Sequence, residues 1–321
     1  MDTITRGRQL DPQAKSRPPL WLLPNLLSID APLVAVAWMW MLAKALRVEY
    51  IQSAVWWVLP TAIWCVYVLD RLLDGWAHLE VRDASPRHQF HWRWRWWLLS
   101  VALVAGGVSI YQSLYVLSRS MFSAGLVALL LCGIYFLLAY FRGREVPYTK
   151  NLMAGMIFAM GIGIPVNAAS ATLLVTDLND VIYAWNHTGL RDAIWNVGRM
   201  VVSTLVVVFY QCTAVWVLGL LCMMNITAID LWEKVDGVEN DEDVDGHEAA
   251  LSLGLIVLAG GSLVFAAMQA DEYSKPFFYA VMVAAASLQV INHYRDRFTI
   301  NGLRVLADVA LLVPLPVFLV A

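Results

Sequence analysis

Two pairs of acids, Asp70 with Asp74 in YVLDRLLDG and Asp230 with Glu233 in NITAIDLWEK, each stand at the end of a long apolar run. A charged group at the centre of a membrane helix costs roughly 2.5–3.5 kcal/mol even on insertion scales, so acids beside such runs need a partner or a task. Asp70 and Asp74 are i, i+4 with Tyr67 one turn earlier, and Asp230 and Glu233 are i, i+3, so each pair shares one helix face. Facing each other, the two helices would offer four carboxylates. Hard oxygen ligands without His or Cys pairs nearby suit Mg²⁺, which keeps several waters and bridges one or two carboxylates to phosphate oxygens. Diphosphate is the natural ligand to consider. Arg71 lies inside the first pair, and Arg93, Arg95, Arg142, Arg144 and Lys150 could add positive charge.

The elements that must position these acids are membrane helices. Hydrophobic residues make up 60% of the 321, charged ones 15%, and the mean hydropathy is +0.62, outside the range of ordinary soluble domains. The net charge of −3 gives no reason to expect nucleic acid as a partner. Cys65, Cys132, Cys212 and Cys222 all sit in apolar stretches without C-x-x-C spacing, which argues against a disulfide framework and against a zinc site. Crossing hydrocarbon takes ~20 apolar residues. Nine such segments are expected, at roughly 28–47, 52–75, 95–114, 120–141, 150–167, 198–231, 249–269, 276–295 and 301–320. The runs are continuously apolar, so a transmembrane barrel is excluded and the class is an all-α, multi-pass bundle forming one domain over 1–321.

Charge distribution orients the bundle. The polar, basic segment 1–25 precedes a first apolar run that is too long for a cleavable signal, and it is expected to remain cytosolic. With that end inside, sixteen of the twenty-two basic residues fall on the cytosolic side. The second and sixth helices then both finish at that side, so Asp70, Asp74, Asp230 and Glu233 are expected at one cytosolic cavity of a cell-membrane protein. An acidic loop, 233–248, would lie over it.

These features together resemble the UbiA superfamily of intramembrane prenyltransferases: nine helices, D-x-x-x-D ending the second, an acidic motif ending the sixth, and an acid- and glycine-rich loop after it. The resemblance spans nearly the whole chain. The family's first motif commonly reads N-x-x-x-D-x-x-x-D; Val66 stands at the Asn position, while Asp70 and Asp74 match. In the second motif Asp230 matches, but Lys234 stands four residues on, so Glu233 or Asp236 must be the second acid. The resemblance implies Mg²⁺ held by Asp70, Asp74, Asp230, Glu233 and Asp236, with Tyr67, Arg71, Lys150 and Asn225 contacting substrate. It implies transfer of a prenyl chain from an isoprenoid diphosphate to a hydrophobic acceptor, above all an aromatic one. The departing diphosphate would need Mg²⁺ and cations, and the allylic cation a dry wall with aromatic faces such as Trp64, Tyr67 and Tyr210. A terpene cyclase of the same superfamily would ionise the same diphosphate without an acceptor. An ion-coupled transporter would instead show inverted repeats and discontinuous helices near the midplane.

Simpler readings stand beside several of these features. Asp70 could pair with its own neighbour Arg71. HWRWRWW at 91–97 reads as an aromatic belt with positive-inside charge before it reads as a diphosphate clamp. Lys150 could be a snorkelling helix-end lysine. DEDVDGHEAALS opens like an EF-hand but has Ser252 where the closing Glu belongs, and an apolar helix follows. Asp74-Gly75 is followed by Trp76, Ala77 and His78, which breaks the D-G-x-x-A-R pattern of lipid alcohol phosphotransferases. Arg304 and Asp308, i, i+4 apart, are expected to neutralise each other. The sequon Asn186-His187-Thr188 falls in an outer loop.

Overall fold

The computed structural model describes residues 19–77, 86–142, 147–169, 176–210, 212–235 and 241–320. Every regular element among them is helical. A 3-10 turn, Leu20–Leu22, leads into the short helix α1, Leu23–Leu26. There follow α2, Asp30–Ala45; α3, Val55–Ala77; α4, Pro86–Arg93; α5, Arg95–Tyr115; α6, Arg119–Arg142; and α7, Pro147–Ala169. Next come α8, Leu178–His187; α9, Leu190–Leu205; α10, Thr213–Val235; α11, Asp241–Met268; α12, Lys275–His293; α13, Ile300–Leu312; and α14, Leu315–Val320. Eight helices are long and apolar enough to cross a membrane, and the bent pair of α1 and α2, turned by 80° at its break, makes nine if it is one span.

The structure divides two of the expected spans. The stretch 198–231 is not one helix: α9 ends in a π-helical turn, Val206–Tyr210, and α10 starts afresh at Thr213. Five valines over 201–208 crowd the preceding turn through their branched Cβ, which weakens helix there. The stretch 301–320 divides at Val313 and Pro314, since Pro314 and Pro316 provide no N–H, and the Leu311 carbonyl at this break accepts the buried Trp38 Nε1 at 3.0 Å. The acidic stretch 233–248 is helical over its described parts, as the end of α10 and the start of α11. Segment 1–18 and Asp236 lie outside the described residues.

Helix α10 runs through the centre, flanked by α7, α11, α12 and α13. Its closest neighbour is α7, and small residues make this possible. A Cβ on Gly155 would stand 2.6 Å from the Gly219 carbonyl oxygen and from the Met223 nitrogen, and one on Gly163 would stand 2.9 Å from Val215. Ala159, fully buried between them, continues the stripe. Small residues along a helix face let two backbones approach this closely. The pairing is antiparallel, so the N-terminus of α7 lies beside the C-terminus of α10: Asn151 Nδ2 donates to Thr227 Oγ1 at 3.2 Å and to Asp230 Oδ2 at 2.9 Å. Nearby, Trp232 Nε1 donates to Asn292 Oδ1 at 2.8 Å, and Asn292 Nδ2 donates to Ser252 Oγ at 3.3 Å, tying α10, α11 and α12 together.

The opposite end of the bundle is closed differently. Arg47 takes a left-handed conformation, φ 56°, just beyond α2, pairs with Asp271 at 2.7 Å and stacks on Tyr273 at 3.9 Å. Helices α8 and α9 pack on each other and on α6, and the Leu178 N–H donates to Ser123 Oγ near the start of α6 at 3.0 Å.

Candidate functional site

Buried charge collects where α3 and α10 end and where α2, α4, α7 and α13 begin. Arg71, one residue after Asp70, reaches it at 3.4 Å and lies in the field of Asp74 and Glu233 as well. Tyr135, on α6, lies in the field of Asp70, Asp74 and Asp230. The two acidic helix ends therefore share one electrostatic neighbourhood. Asp230 accepts from Asn151 and feels Lys150 and Lys234, while Lys150 itself is exposed.

Glu233 is held by arginines from two other helices. Its Oε1 accepts from Arg304 Nε at 2.8 Å and stands 3.9 Å from Arg87 Nη2. Arg304, 4% exposed, also donates to Asn301 at 3.3 Å. The expected Arg304–Asp308 pair is thus not formed: Arg304 turns to α10, and Asp308 hydrogen-bonds to Asp30 and to Asn225. Spacing alone allows either arrangement, because an i, i+4 pair across one turn competes with partners on the neighbouring helix.

Helix α4 supplies the positive side. Gly75 makes its docking possible, since a Cβ there would stand 3.2 Å from the Trp92 ring. Arg87 and His91, i, i+4 on α4, point into the site. The Arg87 guanidinium is pushed down to about 9 by burial and by the like charges of Arg71 and Arg304. His91 is held down to about 4, chiefly by burial and further by Arg71 and Arg87, and His88 to about 3 for the same reasons. His91 is therefore neutral: its Nδ1–H donates to the Arg87 carbonyl at 2.9 Å, and Nε2 accepts the Ser28 hydroxyl at 3.4 Å. Ser28 occupies the break before α2 with φ 54°, in the left-handed region. Arg71 Nε and Arg87 Nε are buried without hydrogen-bond partners, and buried donors without acceptors are rare in folded proteins.

In the tryptophan-rich run, Trp94, Trp96 and Trp97 are exposed and Arg95 stacks on Trp92 at 4.5 Å, which agrees with a belt rather than a clamp. Arg93 is exposed, and nothing is described of the Arg142 side chain, Arg144 or the Tyr210 side chain. Tyr67 lies beneath Arg71 in the field of Asp308 and Asp30. Among the described residues, no three His, Cys, Asp or Glu side chains converge closely enough to hold a metal ion by themselves.

Sequence reasoning missed Arg87, Arg304, Asp30 and Asp308 as members of this cluster. A signal for Asp30 was available, since it is a lone charge opening a run of apolar residues. Arg87 gave none, because its loop carries many basic residues. No family model, curated protein or solved structure matches this chain.

Proposed function

We propose that the chain is a Mg²⁺-dependent prenyltransferase, moving an isoprenoid chain from its diphosphate to a hydrophobic acceptor within the bundle. One observation carries the reading: at one end of an apolar helical bundle, two acidic helix ends share a neighbourhood with three guanidinium groups, of which Arg71 and Arg87 keep buried, unpartnered Nε atoms. Such a place is short of anionic oxygen. A diphosphate supplies several such oxygens, and guanidinium groups recognise them with directional, charge-assisted bonds.

The donor set suits Mg²⁺ shared with phosphate oxygens, not an all-protein cage. Mg²⁺ commonly takes one or two carboxylates and completes its shell with phosphate and water, and the acids divide accordingly. Asp70 and Asp74 would be its first holders, with Asp230 opposite, whereas Glu233 is committed to Arg304. Bound there, the ion would absorb charge on the departing diphosphate. Arg71 and Arg87 donate to the same oxygens in this reading. The Trp64 ring, fixed by its Nε1–H to the Leu27 carbonyl at 2.9 Å, and Tyr67 offer aromatic faces on the bundle side.

In the bilayer this reading sets α2, α3, α5, α6, α7, α10, α11, α12 and the α13–α14 pair across the membrane, with the acidic end cytosolic. Helix α9, although long and apolar enough with its π turn to span, then lies with α8 along the outer face, and the α13–α14 pair crosses in its place. The exposed Tyr183, Trp185, Ile194 and Trp195 of α8 and α9 suit the headgroup boundary, and α9 packs on α8 and α6 rather than alongside α10.

One observation favours a second reading, an ion-coupled transporter: the chain does break, between α1 and α2 beside Asp30. Helix α2 continues for 16 residues after the break, about 24 Å, so the break lies near one face and not at the midplane where transporter sites sit. The two readings separate on ligand. Mg²⁺ together with farnesyl diphosphate should raise the unfolding temperature of the purified chain, and Asp70→Ala should remove that gain. A gain from Na⁺ alone, with none from Mg²⁺ and farnesyl diphosphate, would favour the transporter.

A further inference from the structure

At the edge of the arginine-rich site the charge character changes, where Asp30, Asp308 and Asn225 meet. Asp30 opens α2; its Oδ2 accepts from Asn25 Nδ2 at 2.7 Å and its Oδ1 from the Ala31 N–H at 3.0 Å. Asp308, on α13, hydrogen-bonds to Asp30 and receives the amide of Asn225 from α10. Two carboxyl groups can hydrogen-bond to each other only where a proton lies between them. Asn225 is 6% exposed, and because its Nδ2 serves Asp308, its Oδ1 is left as a buried acceptor with no donor. Tyr67 from α3 and Arg87 and His91 from α4 face the pair, with Cys222 one turn before Asn225.

The charges select the ligand by elimination. A cation, including a protonated amine, would meet Arg87 and Arg71 across the cluster, and an anion would meet the carboxyl pair. A neutral group that both donates and accepts fits what remains. We propose that Asn225, Asp308 and Asp30 recognise the hydroxyl of a lipophilic alcohol or phenol. Its O–H donates to Asn225 Oδ1, and its oxygen accepts the proton otherwise shared between the carboxyl groups. The apolar remainder lies among the buried side chains of α2, α10 and α13. Joined to the prenyl-transfer reading, on which this last step rests, the ligand is the hydroxyl-bearing acceptor.

The test uses the full chain in lipid nanodiscs, with unfolding temperature titrated against 4-heptylphenol, 1-decanol and the methyl ether of each. The expected result is that at least one hydroxyl compound binds ~10-fold or more tightly than its ether, because a site built around a hydroxyl rejects the analogue lacking it. Preference for the phenol or for the alcohol identifies which of the two the site takes. Asn225→Leu should reduce the preference to near unity, and retained binding of the ethers shows that this variant is folded. Equal binding of hydroxyl and ether forms by the unaltered chain overturns the proposal, as does a preference that survives in a folded Asn225→Leu. Farnesyl diphosphate with Mg²⁺, titrated in the same preparation, keeps the two readings apart. If it fails to bind, prenyl transfer falls while a hydroxyl preference still stands.

Discussion

Glu233 distinguishes a charge held for a ligand from a charge held for the protein. Sequence places it among the metal-binding acids; the structure gives it to Arg304 at 2.8 Å and sets it 3.9 Å from Arg87. Removing one member of a fully buried ion pair costs about 3–5 kcal/mol, because the other charge stays behind without water. The Arg304 side chain is 4% exposed but that of Glu233 is 33% exposed, so solvent screening lowers the expected loss for Glu233→Gln to about 2 kcal/mol. That is roughly a 30-fold fall in the ratio of folded to unfolded protein. Arg304→Met should cost a similar amount, and the double variant little more than either, for a coupling of about 1.5–2 kcal/mol. Reversible unfolding in mixed micelles, read as a double-mutant cycle, measures it. A coupling below about 0.5 kcal/mol, with stability intact and only ligand binding lost, would refute this reasoning and return Glu233 to the metal.

Acidification should weaken the fold through α4. His91, folded at about 4, titrates near 6.5 when unfolded, so below pH 6.5 the unfolded chain binds the extra proton and stability falls. The loss from His91 alone is about 2 kcal/mol between pH 7.5 and pH 5. His91→Gln should flatten that part of the pH profile, which unfolding measured at both pH values would show. Gly155→Leu should disrupt the α7–α10 contact by about 1–3 kcal/mol, because the added side chain meets the backbone of Gly219 and Met223 at 2.6 Å; Gly133→Leu, which meets nothing within 4 Å, should be tolerated. Arg87→Gln should weaken protection by farnesyl diphosphate and Mg²⁺ by ~10-fold or more, whereas Arg93→Gln, on the exposed side of α4, should not.

Apolar run length made most of the bundle legible, because ~20 residues without charge leave a chain few alternatives to a spanning helix. The two misread spans share a cause: hydropathy is blind to a backbone break when both flanks stay apolar. At 198–231 the break is a π turn in a valine-rich stretch, and at 301–320 it is a proline pair. Asp70, Asp74 and Asp230 were legible as acids out of place. Their companions were not, since whether Arg304 turns to Asp308 or to Glu233 depends on how α13 meets α10, which no local spacing states. Ser28 in a left-handed conformation and the orphaned oxygen of Asn225 likewise exist only in three dimensions.

In the proposed function the acidic helix ends and the buried arginines act on an isoprenoid diphosphate. The direct measurement is diphosphate released from geranyl, farnesyl or geranylgeranyl diphosphate by membranes carrying the chain, with a phenolic acceptor present. Release should require Mg²⁺, stop on chelation, and fall by ~100-fold or more in Asp70→Ala and in Asp230→Ala, as expected for groups that meet charge developing on the leaving group. Release that continues undiminished in folded Asp70→Ala and Asp230→Ala, or none from the unaltered chain with any of the three diphosphates and Mg²⁺, would contradict it.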